Sequence, residues 1–338
     1  MKAAILKKAK EIIIKDIPRP RISGNEVLIK IKEVGLCGSD VHYYNIGRIG
    51  DFIVKKPIIL GHESSGVIEG VGKNVKCFNK GDRVTIEPGI PCYKCSYCIE
   101  GDYHLCPDIR FMATPPYDGA FAEYIAYDPN FVYILPDSIS FTSGALIEPL
   151  SVGYSACRRA KISPGSKVLI LGSGPIGISI LEMAKAFGVS RIYITDINDS
   201  RLEVAKRHGA YKTINIKKQD IFKELRETKV DSVIEASGAE SSIVNSIKLV
   251  KRGGTIVWVG IGKDNISIPY SELNSKDLTV ESIFRYKNTY PPIISLIEEK
   301  RVSICDIVTH RFKLHEIDKV FEIANDPNID KMKIMIEI

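Results

Sequence analysis

Short apolar runs, separated by glycines and by segments of helical period, divide the chain into parts with different patterns. Residues 167–171 form a continuous apolar run typical of a buried parallel strand. Residues 178–188 then carry apolar side chains at helical spacing and end in a glycine. A second apolar strand is predicted over 191–195, and the alternation continues to about residue 282. This pattern predicts an α/β fold with a doubly wound parallel sheet between helices.

Before residue 152 the apolar runs are shorter and glycines are dense, which is typical of a β-rich, turn-rich, partly barrel-like domain. We predict strands there over residues 3–5, 11–17, 27–34, 65–70, 83–87, 120–126 and 131–135, followed by a helix over 142–160. After residue 284 we predict helices over 292–300 and 314–325, and a last strand over 333–338. Because a strand needs a partner, we expect this last one to return to the first domain.

The turn Gly172-Ser173-Gly174-Pro175-Ile176-Gly177 connects the first predicted strand of the parallel sheet to its helix. Its glycines allow a tight turn and close approach to a pyrophosphate, and the helix N-terminus offers free N–H groups. Asp196 follows the second strand, 19 residues after Gly177, where an acid binds the adenosine ribose and repels a 2′-phosphate. Glycines also mark ordinary turns, so the flanking strand and helix carry the interpretation. The strand, turn and helix together predict a dinucleotide site, and Asp196 predicts NAD rather than NADP as the ligand.

The composition is that of a globular protein of about two domains, with 338 residues, 44% hydrophobic and 26% charged. The net charge of +6 comes from cations scattered among acids, which indicates a solvated surface rather than a nucleic-acid face. No apolar run approaches the roughly 18 residues of a membrane span. The N-terminal residues 1–20 lack an apolar signal core, so we expect a cytoplasmic protein without nucleic-acid or membrane partners.

Four of the eight cysteines lie close together, at Cys92, Cys95, Cys98 and Cys106. Two C-x-x-C pairs can place thiolates on one tetrahedral ion, and the flanking prolines and glycine predict an irregular loop. Iron–sulfur clusters use a similar spacing. Because the other features of a ferredoxin are missing, zinc is favoured. A site closed by four cysteines has no open position for substrate, which indicates a structural role.

A second group of metal-ligand residue types comprises Cys37, His62 and a nearby acid. A mixed sulfur, nitrogen and oxygen set suits a catalytic zinc that keeps one open position. Each residue alone is as readily explained as part of the core. Spacing by itself therefore leaves this site undecided.

These motifs resemble those of the zinc-dependent medium-chain dehydrogenase/reductase superfamily, most closely its polyol (sorbitol and xylitol) dehydrogenase branch. The superfamily motifs are Gly61-His62-Glu63 before Gly66, the four-cysteine lobe and the glycine turn. Segments associated with the polyol branch are residues 37–43, residues 111–119, and Phe284-Arg285-Tyr286 before Asn288-Thr289-Tyr290-Pro291. The resemblance implies a GroES-like catalytic domain over residues 1–152 with a structural zinc lobe at about 88–107. It further implies an NAD-binding Rossmann domain over 153–284, and the return of 285–338 to the catalytic domain.

The resemblance implies two zinc ions per chain, one structural and one catalytic. Cys37, His62 and Glu63 resemble the catalytic-zinc ligands, and Glu148 resembles a second acid beside the metal. Whether Glu63 or Glu148 is the third inner ligand stays open. Mammalian members of the branch lack the four-cysteine site, so its presence here indicates a microbial type.

The resemblance also implies how protons and substrate are handled. Ser39 resembles the hydroxyl that takes the alcohol proton and passes it, through the nicotinamide ribose, to His42. Ser39 could alternatively cap a helix that starts at Asp40. The implied substrate contacts are Tyr43, Phe111, Thr114, Glu148, Arg285 and Tyr286. The implied cofactor contacts are Gly172, Gly174, Pro175, Ile176, Gly177, Asp196, Arg201, Val259, Ile261, Phe284 and Arg285.

The implied function is oxidation of a polyol secondary alcohol to a ketose, with hydride transfer to NAD⁺. L-Threonine or 2,3-butanediol dehydrogenase activity is an alternative within the same superfamily. A non-catalytic binding protein on the same fold is an alternative of another class. Nucleic-acid binding by the cysteine lobe is disfavoured by its acidic neighbours Glu100, Asp102 and Asp108. The resemblance implies a homotetramer, with a homodimer as the alternative.

Overall fold

The structure is a computed structural model that describes residues 1–338. The strands are β1 (Lys2–Lys8), β2 (Glu11–Asp16), β3 (Val27–Gly35), β4 (Arg48–Ile49), β5 (Phe52–Ile53), β6 (Ile58–Ile59), β7 (Glu63–Val71), β8 (Arg83–Ile86), β9 (Gly89–Ile90), β10 (Arg110–Phe111), β11 (Tyr124–Tyr127), β12 (Val132–Ile134), β13 (Lys167–Leu171), β14 (Arg191–Asp196), β15 (Lys212–Asn215), β16 (Val230–Glu235), β17 (Val250–Trp258), β18 (Thr279–Ser282), β19 (Val308–Lys313) and β20 (Lys333–Glu337).

The α-helices are α1 (Gly38–Ile46), α2 (Ser96–Ile99), α3 (Phe141–Ala145), α4 (Ile147–Arg159), α5 (Pro175–Ala186), α6 (Asp199–Arg207), α7 (Ile221–Glu224), α8 (Glu240–Leu249), α9 (Tyr270–Ser275), α10 (Tyr290–Glu298) and α11 (Ile317–Asn325). Short 3₁₀ turns are Tyr103–Leu105, Pro129–Phe131, Cys305–Ile307 and Leu314–Glu316. None of these helices is both long enough and apolar enough to cross a membrane.

The glycine turn belongs to a six-stranded parallel sheet with the order β15-β14-β13-β16-β17-β18. The order reverses at β13, and the turn leads from that strand into α5. Buried side chains such as Leu169, Val233 and Ile256 form the core on this sheet. The predicted doubly wound Rossmann sheet is therefore confirmed.

The β-rich part is built on a seven-stranded sheet, in which β12-β8-β7-β3-β20-β19 run in order and β11 also pairs with β3. The pairing of β3 with β7 places Gly35 opposite Glu63, and the pairing of β20 with β3 places Met335 opposite Gly35. The ends of three strands that are distant in sequence thus meet at one point. Phe121, Phe321 and Ile29 are among the fully buried side chains of this part.

The chain divides into two compact units. The first contains Met1–Glu148, Tyr290–Glu298 and Val308–Ile338, and the second contains Pro149–Thr289 and Glu299–Ile307. Residues 285–338 were predicted to return to the first domain, whereas residues 285–289 and Glu299–Ile307 belong to the second unit.

Two hydrogen bonds explain this placement of Glu299–Ile307. Ser303 N donates to Glu182 Oε2 over 3.3 Å, and His208 Nε2 lies 3.1 Å from Asp306 Oδ2. Both tie the segment to helices of the second unit.

The predicted helix over 142–160 is instead two helices, α3 and α4, separated by Leu146. Pro149 has no N–H to donate to the carbonyl four residues earlier, so the hydrogen-bond ladder is interrupted at this point. Helix α7 of the alternating region is short, covering only Ile221–Glu224, and the Asp220 side chain caps it by accepting a hydrogen bond from Phe222 N at 2.9 Å.

Candidate active site and metal centres

Three predicted ligands of the catalytic zinc converge in the first unit. Cys37 is the N-cap residue of α1, directly after β3, while His62 precedes β7 and Glu63 begins it. One ligand atom from each residue lies within 4.8 Å of the others. His62 and Glu63 are buried and Cys37 is half-buried. The pairing of β3 with β7 therefore assembles the donor set.

Asp40, which the sequence analysis did not assign a role, connects the two halves of this site. Its fully buried carboxylate accepts from Cys37 N through Oδ2 and from Gly61 N through Oδ1, both over 3.0 Å. Burial raises the pKa of Asp40, and the charge of His62 and these two N–H groups oppose the rise. Its Oδ1 also lies 3.8 Å from His62 Nδ1. An acid three residues after the candidate ligand Cys37 is the sequence signal that could have identified it.

The backbone at Gly61 requires a glycine. Its φ is +87°, and a Cβ there would lie 2.6 Å from the ring of Phe121. Only a residue without a side chain turns the chain there without a clash. This turn brings His62 to Cys37, and the His62 ring also contacts Phe111, with centroids 5.8 Å apart.

The electrostatics of the site favour a cation between these side chains. Burial alone would lower the pKa of His62, but the charges of Cys37 and Asp40 raise it well above its ordinary value, and Glu148 adds to this effect. Glu148 is buried in the first turn of α4, close to the site but outside the set of mutually close ligand atoms. The site therefore brings several side chains that can carry negative charge close to His62.

The residues fit a zinc ion on the chemistry of their donors. Sulfur, imidazole nitrogen and carboxylate oxygen form a three-residue set that leaves a fourth position open for substrate. Glu63 Oε2 is buried and accepts no well-aligned hydrogen bond. The Lys333 ammonium group lies against this oxygen, and Glu63 contributes a ligand atom to the mutually close set, whereas Glu148 does not. Glu63 is thus geometrically better placed than Glu148 to be the third ligand.

The predicted proton-handling residues lie on one helix. Helix α1 starts at Gly38 with Cys37 as its N-cap, so the alternative in which Ser39 caps the helix is wrong. Ser39 and His42 are three residues apart, which places them on the same face of α1, and both are half-buried. Tyr43, the next residue, is 3% exposed and packs into the hydrophobic core. Their roles in proton transfer and substrate binding stay predictions.

The four-cysteine lobe has the geometry of a thiolate site. Cys95 Sγ and Cys98 Sγ are 3.3 Å apart, and Cys92 Sγ and Cys98 Sγ are 3.9 Å apart. Sulfurs of a tetrahedral zinc site lie about 3.8 Å apart, because each Zn–S bond is about 2.3 Å. Cys106 completes the group, with its sulfur 3.3 Å from Cys92 N. The lobe residues therefore fit a second, closed zinc site.

Glu87 anchors this lobe to the sheet. Its carboxylate accepts from Tyr103 of the lobe over 2.8 Å and from Tyr133 of β12 over 2.9 Å, while its carbonyl accepts from Tyr127 over 2.8 Å. Burial raises the pKa of Glu87 to about 7, although the two tyrosines bonded to its carboxylate lower it. Sequence reasoning missed Glu87, because its partners are distant in the chain.

The glycine turn of the second unit has the shape that the motif predicts. Pro175 is the first residue of α5, and a Cβ on Gly177 would lie 2.0 Å from Gly172 O, so no side chain fits there. Asp196 ends β14 and accepts from the N–H groups of Ser173 at 2.8 Å, Ile197 at 2.8 Å and Asn198 at 3.0 Å. Asp196 therefore holds the loops around the turn, and its contact with a ribose stays a prediction.

Most of the other predicted cofactor and substrate residues of the second unit lie on its loops, and Arg201 lies in a helix. Val259 N donates to Glu235 O over 2.8 Å, whereas Ile261 and Phe284 are exposed. The Arg285 guanidinium lies 4.6 Å from the centre of the Phe284 ring. Tyr286 is buried, and Arg201 lies in α6 near Gly174. Thr114, in the first unit, belongs to a turn after Phe111.

Glu235 is a further residue that the sequence analysis missed. It is fully buried at the end of β16, and its Oε1 accepts from Ser237 N over 2.8 Å and from Gly238 N over 3.0 Å. It therefore shapes the loop opposite the glycine turn, at the carboxyl edge of the parallel sheet where such folds bind dinucleotides.

The fold and the two donor clusters together define a zinc-binding dehydrogenase. Residues 23–137 match the alcohol dehydrogenase GroES-like domain, and residues 175–299 match the zinc-binding dehydrogenase family.

The chain is 42% identical to sorbitol dehydrogenase of Bacillus subtilis, over 99% of this chain and 97% of that protein. It is 45% identical to sorbitol dehydrogenase of Rattus norvegicus, over 93% of this chain and 90% of that protein. The crystal structure of 2R,3R-butanediol dehydrogenase from Bacillus subtilis superposes with a TM-score of 0.91 at 31% identity, covering 100% of this chain and 99% of that one. The chain belongs to the zinc-dependent medium-chain dehydrogenase/reductase superfamily, in its polyol dehydrogenase branch, and is an oxidoreductase that uses zinc and NAD.

Proposed function

We propose that this protein oxidises a secondary hydroxyl group of a sorbitol- or xylitol-type polyol to a ketose and transfers the hydride to NAD⁺. The observation that carries the proposal is the convergence of Cys37, His62 and Glu63 on one small buried space. Identities of 42% and 45% to two sorbitol dehydrogenases, against 31% to a butanediol dehydrogenase, support a polyol as substrate.

Cys37, His62 and Glu63 hold the catalytic zinc, and Glu148 stands at longer range beside it. When bound, zinc supplies a Lewis acid that polarises the substrate hydroxyl. Ser39 would accept the hydroxyl proton at Oγ and release its own hydroxyl proton, and His42 would take up the released proton at a ring nitrogen before it reaches solvent. Asp40 keeps His62 and Cys37 in place through its hydrogen bonds to their segments.

The remaining residues bind and orient the two reactants. Tyr43, Phe111, Thr114, Arg285 and Tyr286 contact the polyol. The glycine turn binds the cofactor pyrophosphate, Asp196 binds the adenosine ribose, and Arg201, Val259, Ile261, Phe284 and Arg285 line the rest of the cofactor. We also propose that the protein is a cytoplasmic homotetramer, with a homodimer as the alternative, and that Cys92, Cys95, Cys98 and Cys106 bind a structural zinc.

The test is NADH formation, followed by absorbance, with sorbitol, xylitol, L-threonine and 2,3-butanediol, each with NAD⁺ or NADP⁺. We expect turnover of a polyol with NAD⁺ that chelation abolishes. Cys37→Ser should lose this activity by a factor of at least about 10², because a metal ion contributes several kcal/mol of charge stabilisation. The matched control is Cys77→Ser, at an exposed cysteine outside both donor clusters, which should keep it.

Two results would contradict the proposal. Turnover of threonine or butanediol without any polyol activity would reassign the substrate and keep the chemistry. A zinc-loaded protein inactive on every alcohol would favour the non-catalytic alternative.

A further inference from the structure

A buried lysine lies directly against the catalytic donor set. Lys333, the first residue of β20, is 3% exposed. Its Nζ donates to Glu63 Oε1 over 2.5 Å and to Leu36 O over 3.0 Å. It also contacts Glu63 Oε2, but without a well-aligned hydrogen bond. Nothing in the proposed chemistry yet uses this ammonium group.

A lysine is rarely buried this completely, because removing its charge from water is costly unless the charge is paired. The pairing here is with a residue proposed to ligate the metal. Cys37 and Glu148 are also close enough to interact with the Lys333 charge. One protein cation is therefore paired with Glu63 and also interacts with the charges of Cys37 and Glu148.

The space for this pair is built into the neighbouring strand. A Cβ on Gly35 would lie 2.1 Å from Glu63 Oε2 and 3.1 Å from Lys333 Cε. Any other residue at position 35 would thus displace the carboxylate. Strands β3, β7 and β20 each contribute one residue to this arrangement, namely Gly35, Glu63 and Lys333.

We propose that Lys333 is a positioning residue of the catalytic metal centre, which holds the Glu63 carboxylate in its ligating orientation and offsets the negative charge of the donor set. The ammonium group donates to Oε1 and lies against Oε2, so it holds both oxygens of the carboxylate in place at the edge of the donor set. This inference rests on the proposed function of Cys37, His62 and Glu63 as zinc ligands. A purely structural role, in which the ion pair only docks β20, is the competing explanation.

The test measures how fast each zinc ion leaves the purified holoenzyme when a chromogenic chelator is added in excess. The two zinc ions are expected to leave in two kinetic phases. Cys95→Ser lacks the structural site, so the phase that it retains is the release of the catalytic zinc. Lys333→Met removes the charge and the donor at similar length. Gly35→Ala displaces the carboxylate and keeps the lysine. Lys333→Arg restores a cation.

We expect Lys333→Met and Gly35→Ala to release the catalytic zinc about 10- to 100-fold faster than the unmodified protein, the range typical of lost contacts to a metal ligand. The structural zinc should leave at an unchanged rate. Lys333→Arg should recover most of the difference. The matched control is Lys276→Met, because Lys276 also donates to two backbone carbonyl groups but lies far in sequence from the donor set, in the second unit.

Catalytic-zinc release at the normal rate in folded Lys333→Met, with only the melting temperature lowered, would overturn the inference in favour of the structural role. If Lys333→Met does not fold, a normal release rate in Gly35→Ala would overturn it equally. An unmodified protein that binds only the structural zinc would contradict the proposed function itself, which separates that failure from the failure of this inference.

Discussion

Replacing Glu87 by glutamine should remove a defined part of the pH dependence of stability. Glu87 is 2% exposed and accepts hydrogen bonds from Tyr103 and Tyr133. Burial raises the pKa of its carboxyl from 4.5 to about 7, against the opposing effect of both tyrosines, and the nearby Glu148 adds to the rise. Because the folded protein binds this proton more tightly than the unfolded chain, the group contributes most to stability when it is protonated.

The size of the effect follows from the shift. Each pKa unit corresponds to about 1.4 kcal/mol, so a rise from 4.5 to about 7 corresponds to about 3 kcal/mol. The sign of the pH dependence follows from the pKa of Glu87 being higher in the folded protein than in the unfolded chain. The contribution is fully present below pH 4.5 and is lost as the pH rises to about 7. Between pH 5 and pH 8 the unmodified protein should therefore lose roughly 2 to 3 kcal/mol relative to Glu87→Gln.

The assay is denaturant unfolding of the zinc-loaded proteins at half-unit steps from pH 5 to pH 8. The quantity to compare is the difference in unfolding free energy between the unmodified protein and Glu87→Gln. Glu69→Gln is the control, because Glu69 pairs at the surface with Lys80 and Arg19, which lower its pKa. A difference that stays constant across the pH range, or that grows in favour of the unmodified protein as the pH rises, would refute the reasoning.

Three further substitutions have defined outcomes. Asp196→Ala should raise the KM for NAD⁺ about 10- to 100-fold, because hydrogen bonds to a charged acceptor contribute about 1.5 to 3 kcal/mol. It should also reduce the preference for NAD⁺ over NADP⁺, and steady-state kinetics with both cofactors measures both effects. Cys95→Ser should lower the zinc content from about two ions to about one per chain, by metal analysis, and lower the melting temperature, because a structural site supplies folding energy. His208→Gln should be less stable than the unmodified protein at pH 5. The difference in unfolding free energy, measured from pH 5 to pH 8, should shrink as the pH rises. Burial lowers the pKa of His208, but the carboxylates of Glu182 and Asp306 raise it by more, so the pKa lies above its ordinary value. The protonated form of His208 therefore stabilises the fold at low pH.

The parallel sheet and the glycine turn could be predicted because their determinants are local. An apolar strand, a glycine turn, a helix and an acid after the next strand lie within residues 167–196, and the structure places them in that order as β13, α5 and β14. The four-cysteine lobe is equally local, since its thiols lie within 15 residues and close on one another without help from distant strands. The broken helix at Leu146 was missed although Pro149 signals it, because the apolar period continues through the break.

The residues around the donor set required the three-dimensional structure. Asp40 hydrogen-bonds across to Gly61, and Glu87 joins Tyr103 to Tyr133, so each has its role only after strands or loops have paired. A buried acid has no sequence pattern that separates it from a surface acid. The role of such an acid can be recognised only when its burial and its hydrogen-bond donor are known. Both depend on contacts between segments that are distant in the sequence.

Lys333 shows why the motif Gly61-His62-Glu63 describes only part of the metal centre. Lys333 lies 270 residues after Glu63. In the sequence it is only a lysine at the start of a short apolar run, with nothing to distinguish it from a surface lysine. Two sheet pairings, β7 with β3 and β3 with β20, bring the two residues together across Gly35. The last strand of the chain therefore does more than close the sheet, because its first side chain supplies the charge that a buried, anionic ligand set needs. A truncation before Lys333 would thus remove both a β-strand and the counter-charge of Glu63, and the two losses can be separated only by substitutions at Lys333 and Gly35 themselves.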